Sequence, residues 1–163
     1  MQLIKAPNPI LTQIALDWDF QLDTNPELVE QEMIAVMQSY NGIGLAANQV
    51  GLLKRVFVIK LKDQEPFAMF NPRVLSSSEE LQEGDEGCLS FTNLWLNVKR
   101  FQVIESEYFD KLGNQCIIKL EGIDSRCFLH ELDHLNGICF TEKVSLLKLA
   151  LAKKKLQKRK RNG

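Results

Sequence analysis

Residues 124–137 read DSRCFLHELDHLNG, and this stretch decides the fold and chemistry that the rest of the chain is expected to support. Its pattern predicts a helix that begins at Asp124, an acceptable N-cap residue, and ends at Asn136. Gly137 follows as the stop, since glycine readily adopts the left-handed conformation found after a helix. The sequence therefore predicts a helix that presents the motif HELDH.

The motif places two histidines four residues apart. His130 and His134 therefore project from the same helix face and can reach one metal ion, and Glu131 lies beside the open coordination position. This arrangement is typical of metal-dependent hydrolases, and a helix with two incidental histidines is the alternative. The chain contains only 2 histidines, so any histidine-based chemistry must use these.

Two histidines leave a catalytic metal ion one protein ligand short. Metzincins use a third histidine, which this chain lacks, and thermolysin-like enzymes use a downstream glutamate, whereas only Glu142 follows the motif and lies too near to it. The third ligand is therefore expected earlier in the chain. Cys88 is the best candidate, because a thiolate complements two imidazoles and Gly87 permits an unusual backbone approach. The other three thiols are interpreted as core residues: Cys116, Cys127 and Cys139.

The composition indicates one folded domain. The chain has 163 residues, 45% of them hydrophobic and 25% charged. It contains no apolar run near the roughly 18 residues of a membrane-spanning helix, and no secretory signal. We expect a soluble monomer with no membrane partner, located in the cytoplasm, or in a host cytoplasm or organelle if the source is viral or organellar.

The net charge of −1 hides a division along the chain. Eight of the 20 basic residues lie in residues 148–161, which hold no acidic residue, so this segment carries +8. Residues 1–147 carry 12 basic and 21 acidic groups, a net charge of −9. We predict a single catalytic metallohydrolase domain over residues 1–147, with residues 148–163 as its basic C-terminal helix or tail.

The other local patterns predict an α+β fold. Asn25 as N-cap and Pro26 at the first helical position predict a four-turn helix that ends at Asn41-Gly42. Further helices are predicted over residues 11–16 and 145–160. Segments rich in β-branched and aromatic residues predict antiparallel strands at 55–61, 68–71, 98–108 and 115–120. We therefore expect antiparallel β-sheets packed around the central metal-binding helix, with an N-terminal and a C-terminal helix.

Three motifs follow one another over nearly the whole chain. They are GIGLAANQ at residues 42–49, EGCLS at residues 86–90 and HELDH at residues 130–134. The first alone could be a glycine-rich turn and the second alone an ordinary loop. In this order and at comparable spacings, the three resemble the signature motifs of peptide deformylase.

The resemblance implies hydrolysis of the formyl group from the formyl-methionine of nascent polypeptides, with release of formate. A divalent ion held by Cys88, His130 and His134 would lower the pKa of a bound water molecule. Glu131 would move a proton from that water to the leaving amine. Fe(II) is the ion expected in the active form, with Zn(II), Ni(II) or Co(II) as substitutes.

The resemblance also assigns the groups that would hold the substrate. The Gln49 side-chain amide and the Leu89 backbone N–H would donate to the charge that develops on the formyl oxygen. Ile43 and Gly44 would offer extended backbone with which the peptide pairs as an added strand. An apolar pocket for the methionine side chain is expected among Leu89, Cys127 and Phe128.

Carboxylates normally orient histidines that bind a metal ion. Glu86, Arg100 and Asp133 are therefore predicted to form a buried, ion-paired network behind the ligands. The alternative is that Arg100 and Asp133 are surface charges.

The sequence departs from the family pattern at three places. An apolar residue and a proline usually follow the second motif, whereas Phe91-Thr92-Asn93 stands here, so this loop is expected to be more mobile. Trp95 lies where arginine or tyrosine is common, so apolar stacking with the peptide is expected. Leu129 replaces a common glutamine. We expect activity with a shifted peptide preference.

The basic C-terminal segment resembles the helix by which bacterial deformylases dock near the ribosomal exit tunnel, and a solvated helix is the alternative. Two other functions remain open. The same site could hydrolyse another N-acyl peptide, such as an N-acetyl peptide. The chain could also be an idle, ribosome-binding relative, against which the intact site motifs argue.

Overall fold

The computed structural model describes residues 1–161. Short 3-10 helices cover Pro9–Thr12, Ala47–Val50 and Phe140–Lys143. The α-helices are α1 (Pro26–Ser39), α2 (Gly122–Leu135) and α3 (Leu146–Arg161). The strands are β1 (Gly44–Ala46), β2 (Val56–Ile59), β3 (Phe67–Ser77), β4 (Leu81–Cys88), β5 (Phe91–Phe101), β6 (Val103–Phe109) and β7 (Gln115–Glu121).

Two antiparallel sheets surround α2. The larger sheet has the strand order β1-β2-β3-β6-β7, and the smaller sheet is the hairpin of β4 and β5. Helix α2 contacts strands of both sheets, among them β1, β2, β5 and β7. The predicted α+β fold with antiparallel sheets around a central helix is confirmed.

Helix α2 also contributes to the main core. Phe128 is fully buried with Phe57 and Ile104, and the rings of Phe57 and Phe128 meet edge to face with centroids 5.2 Å apart. Burial of such side chains stabilises the packing of the helix on the larger sheet. The prediction that Phe128 belongs to the methionine pocket is therefore wrong, because its ring is buried in the core.

Helix α1 begins as predicted. The Asn25 side chain accepts hydrogen bonds from the Glu27 and Leu28 N–H groups at 2.9 and 3.4 Å, and Pro26 occupies the first turn. These contacts satisfy backbone donors that have no partner inside the helix. Asn41 then adopts a positive φ of 54°, and the chain turns into β1 and the first motif.

Helix α3 packs on the outer side of the β4-β5 hairpin. Its apolar residues Leu149, Ala152 and Leu156 contact a buried cluster that includes Leu96 and Val98 of β5. The helix agrees with the predicted range 145–160. The predicted tail over residues 148–163 includes residues 162–163, which lie outside the described residues. No helix within residues 1–161 combines the length and apolar character needed to cross a membrane.

The predicted short helix over residues 11–16 is wrong. A 3-10 turn ends at Thr12, and Leu16 is extended and forms an isolated bridge with Lys54. The apolar spacing there reflects tertiary packing, since Leu11 and Ala15 are buried against other elements.

The predicted N-cap role of Asp124 is also wrong. Helix α2 begins two residues earlier, at Gly122, and Glu121 is its N-cap residue without a side-chain hydrogen bond. The Asp124 carboxylate accepts the Lys62 N–H at 3.1 Å instead. A long-range contact thus replaces the local cap that the sequence predicts.

The strand predictions are partly confirmed. The ranges 55–61 and 115–120 match β2 and β7, but the single strand predicted over 98–108 is two strands that meet at Gln102. The charged, glycine-containing run at 83–87 gives no strand signal, yet it pairs with β5 throughout. Glu86 is the one buried residue of this strand, so its sequence has little apolar pattern.

Candidate metal centre and active-site cleft

Three potential metal ligands meet between α2 and the end of β4. One ligand atom from each of Cys88, His130 and His134 lies within 4.8 Å of the others. The Cys88 Sγ atom is 3.3 Å from His134 Nε2, and the two imidazole centroids are 5.0 Å apart. One ion can therefore contact all three side chains, and a thiolate with two imidazoles suits a first-row divalent metal.

A register shift in the hairpin directs the side chain of Cys88. The β4-β5 register shifts between Gly87 and Cys88, so that Gly87 pairs with Trp95 whereas Cys88 pairs with Phe91. Such a shift re-aims the side chain at the end of a strand. It brings the Cys88 sulfur towards the two histidines of α2.

The Glu86 carboxylate holds one of the two imidazoles. Glu86 Oε2 lies 2.9 Å from His130 Nδ1, and Arg100 donates to both Glu86 oxygens at 2.9 and 3.0 Å. Burial alone raises the pKa of Glu86, but the hydrogen bonds from Arg100 and His130 outweigh it and lower the pKa to about 2. An ionised acceptor at Nδ1 leaves His130 Nε2 as the nitrogen that can bind a metal ion.

The network extends to Asp133. Arg100 also forms an ion pair with Asp133, whose other oxygen lies 3.1 Å from Lys143 Nζ. The side chains of Arg100 and Glu86 are 5% and 4% exposed, and that of Asp133 is 14% exposed. The three predicted network residues therefore lie together beneath the ligands, and the surface alternative for Arg100 is wrong.

Arg126 is a network residue that the sequence reasoning did not single out. Its Nη1 atom is 2.8 Å from Glu86 Oε1 and 2.9 Å from the Val98 carbonyl oxygen, and its Nη2 atom is 3.1 Å from the Gln82 carbonyl oxygen. It therefore ties α2 to both strands of the hairpin. Its position four residues before His130, on the same helix face, is the signal that could have found it.

The two histidines differ in their electrostatic surroundings. Burial lowers the pKa of His134 well below its ordinary value, and the charges of His130 and Arg100 act in the same direction. Burial also acts to lower the pKa of His130, but hydrogen bonds to Cys88 and Glu86 raise it to about 10. Metal binding requires a neutral imidazole and displaces such a proton.

Glu131 lies buried beside the ligands. It is 4% exposed, and its Oε2 atom has no hydrogen-bond partner among residues 1–161. Burial raises the pKa of Glu131 to about 7, although the His130 charge opposes this shift, and a cation bound nearby would lower it again. A Cβ atom on Gly44 would overlap Glu131 Oε1. The glycine of the first motif thus makes room for this carboxylate.

Gln49 is oriented towards the same centre. Its Oε1 atom accepts the Ala46 N–H at 2.9 Å, which directs Nε2 towards Cys88 Sγ at 3.4 Å and Ser90 Oγ at 3.1 Å. Ser90 was not predicted as a site residue, although it belongs to the second motif. Its hydroxyl helps to fix the amide within reach of the ligands.

Leu89 lies in the turn that follows Cys88 and lines the cleft. Its carbonyl oxygen accepts a hydrogen bond from Lys5 Nζ at 2.8 Å, and the Ala6 N–H donates to the Ser90 carbonyl at 2.9 Å. The N-terminal segment thus holds the turn. Residues 91–93, predicted to be a mobile loop, begin β5 instead.

A cleft of about 520 Å³ opens over the centre. All four predicted substrate-binding residues line it: Ile43, Gly44, Trp95 and Cys127. Trp95 is 62% exposed, and its ring carbons lie 3.2 Å from the position that a Cβ atom on Gly87 would take. Burial and the neighbouring Glu131 raise the pKa of Cys127 well above its ordinary value, so this wall carries a neutral thiol.

A helix with two histidines and a glutamate, a cysteine beside them and an open cleft define a metal-dependent hydrolase. The family model of polypeptide deformylase matches residues 1–150 of the chain. The chain belongs to the peptide deformylase family, whose members are metal-dependent hydrolases.

Relatives and solved structures agree with this assignment. The chain is 36% identical over 150 residues to a peptide deformylase of Rhizobium meliloti, covering 90% of this chain and 86% of the relative. It is 44% identical over 119 residues to one of Prochlorococcus marinus, covering 71% of this chain but only 59% of that longer relative.

The fold is similar to solved deformylase structures over almost its full length. The structure from Ehrlichia chaffeensis has a TM-score of 0.87 at 31% identity and covers 99% of this chain and 97% of its own. The structure from Synechococcus elongatus, in complex with actinonin, has a TM-score of 0.86 at 34% identity and covers 94% and 84%.

Proposed function

We propose that this chain removes the formyl group from the N-terminal formyl-methionine of nascent polypeptides and releases formate. One observation supports this most directly. The buried carboxylate of Glu131 lies beside the cluster of Cys88, His130 and His134, whose ligand atoms are within 4.8 Å of one another, at the base of an open cleft. Family membership supports the same substrate class.

Cys88, His130 and His134 would hold the metal ion. We propose Fe(II) in the active form, with Zn(II), Ni(II) or Co(II) able to substitute, because one thiolate and two imidazoles accept all four ions. When bound, such an ion supplies Lewis-acid activation of a water molecule near neutral pH.

Glu131 would perform the proton transfers. Its Oε2 atom lacks a partner within the described part of the chain and can accept a proton from the attacking water. The same carboxyl group would then donate that proton to the departing nitrogen, which otherwise leaves as an unstable anion. Burial beside a bound cation would keep the pKa of Glu131 in a range that permits both steps.

Gln49 and Leu89 would stabilise the charge that forms on the formyl oxygen. The Ala46 N–H fixes the Gln49 amide with Nε2 towards the ligands, so this donor is oriented before the substrate arrives. The Leu89 backbone N–H would supply the second hydrogen bond from the turn that Lys5 holds. Each donor of this kind typically contributes about 10²–10³ to the rate.

The substrate peptide would add to the free edge of β1. This strand is the last in the larger sheet and pairs with β2 on one side only. Backbone groups of Ile43 and Gly44 can therefore bind a peptide without reading its side chains. The methionine side chain would enter the cleft beside Cys127, and the indole of Trp95 would stack on apolar residues that follow it.

Formate release from formyl-Met-Ala-Ser by anaerobically prepared, Fe(II)-loaded protein tests the proposal. Glu131→Gln should lower kcat by about 10²–10⁴-fold and keep its metal content. The matched control Glu121→Gln, at an exposed position just before α2, should retain activity. A fully active Glu131→Gln variant would contradict the mechanism.

Two outcomes would favour the other functions. Hydrolysis of acetyl-Met-Ala-Ser at a rate equal to that of the formyl peptide would indicate a different N-acyl hydrolase. Absence of formate release by protein that carries Fe(II) would indicate an idle relative.

We further propose that the chain acts as a cytoplasmic monomer, with α3 as the docking element of its one domain. Lys153, Lys154, Lys155 and Lys158 are exposed, whereas Leu149, Ala152 and Leu156 of the same helix pack against the cluster on β5. This face can attract ribosomal RNA phosphates in a salt-dependent manner.

Co-sedimentation with ribosomes tests the docking proposal. Replacing Lys153, Lys154, Lys155 and Lys158 of α3 by glutamine should abolish binding, while formate release from free peptides is unchanged. A control carries the same substitution at exposed lysines elsewhere: Lys60, Lys62, Lys99 and Lys119. Equal binding by both variants would contradict a role for α3.

A further inference from the structure

Two buried polar atoms without partners belong to residues that touch each other. Among residues 1–161, Asn48 Oδ1 and His134 Nδ1 are buried and form no hydrogen bond. Asn48 is fully buried, and His134 is 1% exposed. Asn48 Oδ1 is a hydrogen-bond acceptor, and His134 Nδ1 can be a donor. Buried polar groups without partners are uncommon and costly, so this pair requires an explanation.

A direct contact fixes the position of the Asn48 side chain. Its Nδ2 atom donates to the His134 carbonyl oxygen at 2.7 Å. The reverse orientation of the amide would place two oxygens against each other, so the assignment of Oδ1 is unambiguous. Asn48 directly precedes Gln49 in the 3-10 turn Ala47–Val50. One turn therefore carries two amides to the metal centre.

The chemistry of a metal-bound imidazole defines what His134 Nδ1 needs. His134 Nε2 faces Cys88 Sγ at 3.3 Å and is therefore the ligating nitrogen. A neutral imidazole that binds a cation through Nε2 carries its hydrogen on Nδ1. Histidine ligands almost always donate this hydrogen to a carboxylate, a carbonyl or a water molecule.

The Nδ1 atoms of the two histidines differ in their hydrogen-bond partners. His130 Nδ1 has the Glu86 carboxylate at 2.9 Å, whereas His134 Nδ1 has no acceptor within hydrogen-bond distance in residues 1–161. Asn48 Oδ1 is the unpartnered acceptor on a side chain that already contacts His134.

We propose that Asn48 is the positioning residue of His134. Its Nδ2 atom holds the His134 carbonyl, and its Oδ1 atom accepts the Nδ1 hydrogen when Nε2 binds the metal ion. The second contact forms after a rotation of the side chains or through one buried water molecule. This inference rests on the metal centre proposed above. One histidine is thus oriented by a carboxylate, and the other by a neutral amide.

The count of 2 histidines makes the contact observable by NMR. Zn(II)-loaded protein labelled with ¹⁵N in its histidines should show two slowly exchanging Nδ1–H signals. Asn48→Leu should shift the His134 signal and speed its exchange by at least about tenfold, as expected for a lost hydrogen bond. The His130 signal, held by Glu86, is the internal control. An unchanged His134 signal would overturn the proposal.

Zinc affinity, measured by competition with a chromophoric chelator, is the second readout. Asn48→Leu should weaken zinc binding by about 10–100-fold. Asn48→Asp keeps an Oδ acceptor and, when protonated in this buried position, can still donate to the His134 carbonyl oxygen, so it should lose less. Ser125→Ala removes another buried hydrogen bond of α2, to the Phe101 carbonyl oxygen at 2.8 Å, and should keep the wild-type affinity. Equal losses in Asn48→Leu and Asn48→Asp would overturn the acceptor role.

These measurements separate the inference from the proposed function because neither uses deformylase activity. If zinc leaves both ring signals as they are in the metal-free protein, the metal centre itself is refuted and Asn48 has no such role. If both signals shift when zinc binds but the Asn48 substitutions do not change the His134 signal, only the positioning role is refuted. If Asn48→Leu does not fold, Asn48→Asp decides: a His134 Nδ1–H signal that exchanges as fast as in solvent would overturn the role.

Discussion

Acidification should lower the free energy of unfolding by protonating Glu86. This carboxylate is buried and ionised between His130 and two arginines. Burial acts to raise its pKa from 4.5, but the hydrogen bonds from Arg100 and His130 prevail and lower it to about 2. Because the folded state holds this proton less tightly than the unfolded chain, folding is favoured wherever the group is ionised in both states.

The size of the effect follows from the shift. The pKa of Glu86 falls from 4.5 in the unfolded chain to about 2 in the folded state. This difference corresponds to about 3 kcal/mol of stability, at about 1.36 kcal/mol for each pKa unit. This stabilisation is complete above about pH 5, declines as the unfolded chain takes up the proton near pH 4.5, and is lost as the pH falls through about 2. At pH 3 about 2 kcal/mol of it should be gone.

Urea unfolding of the metal-free protein at about pH 5.5 and pH 3 measures this share. At both pH values His130 is protonated in the unfolded and in the folded protein, because its pKa rises from 6.5 to about 10 on folding. The stability difference between wild type and Glu86→Gln should shrink by about 2 kcal/mol between the two values. Glu83→Gln on the same strand, 57% exposed and paired with Lys99, is the matched control and should show little change. Equal pH dependence of wild type and Glu86→Gln would refute the reasoning.

Three further substitutions test the cleft and its supports. Gly44→Ala places a Cβ atom against Glu131 and 2.9 Å from Cys127 Sγ, so formate release should fall by about 100-fold with normal metal content; wild-type kcat would contradict this. Trp95→Ala should raise KM by about tenfold for peptides with apolar residues after the methionine, and less for polar ones; equal changes would argue against stacking. Arg126→Met leaves Glu86 with one arginine and should lower the free energy of unfolding by about 3 kcal/mol in chemical denaturation; an unaltered midpoint would show that Arg100 suffices.

The sequence was most informative where one local rule determines the structure. Asn25-Pro26 defines the start of α1 because capping depends on a few adjacent residues. The spacing of His130 and His134 defines a shared helix face in the same way. The meeting of Cys88 with these histidines is a tertiary event; the need for a third ligand made Cys88 the best candidate, and the resemblance of the three motifs to a family supported that choice.

The sequence was least informative where a distant partner decides. Asp124 accepts a hydrogen bond from Lys62 rather than capping its own helix. Phe128 belongs to the core because its ring packs against Phe57 of the larger sheet. Arg126 would read as a surface residue on composition, yet it is buried by carbonyl groups of both hairpin strands and by Glu86. Asp124 and Phe128 depend on three-dimensional contacts that no local pattern encodes, whereas the spacing of Arg126 from His130 offered a local signal.

The packing of α3 on β5 has a practical consequence for protein engineering. Leu149, Ala152 and Leu156 cover Leu96 and Val98 on the strand that carries Arg100. Shortening the chain before this helix would expose that apolar surface and loosen the hairpin from which Cys88 reaches the metal ligands of α2. The C-terminal helix therefore stabilises the hairpin that carries Cys88. Its solvent-facing lysines should be substituted in preference to deleting the helix.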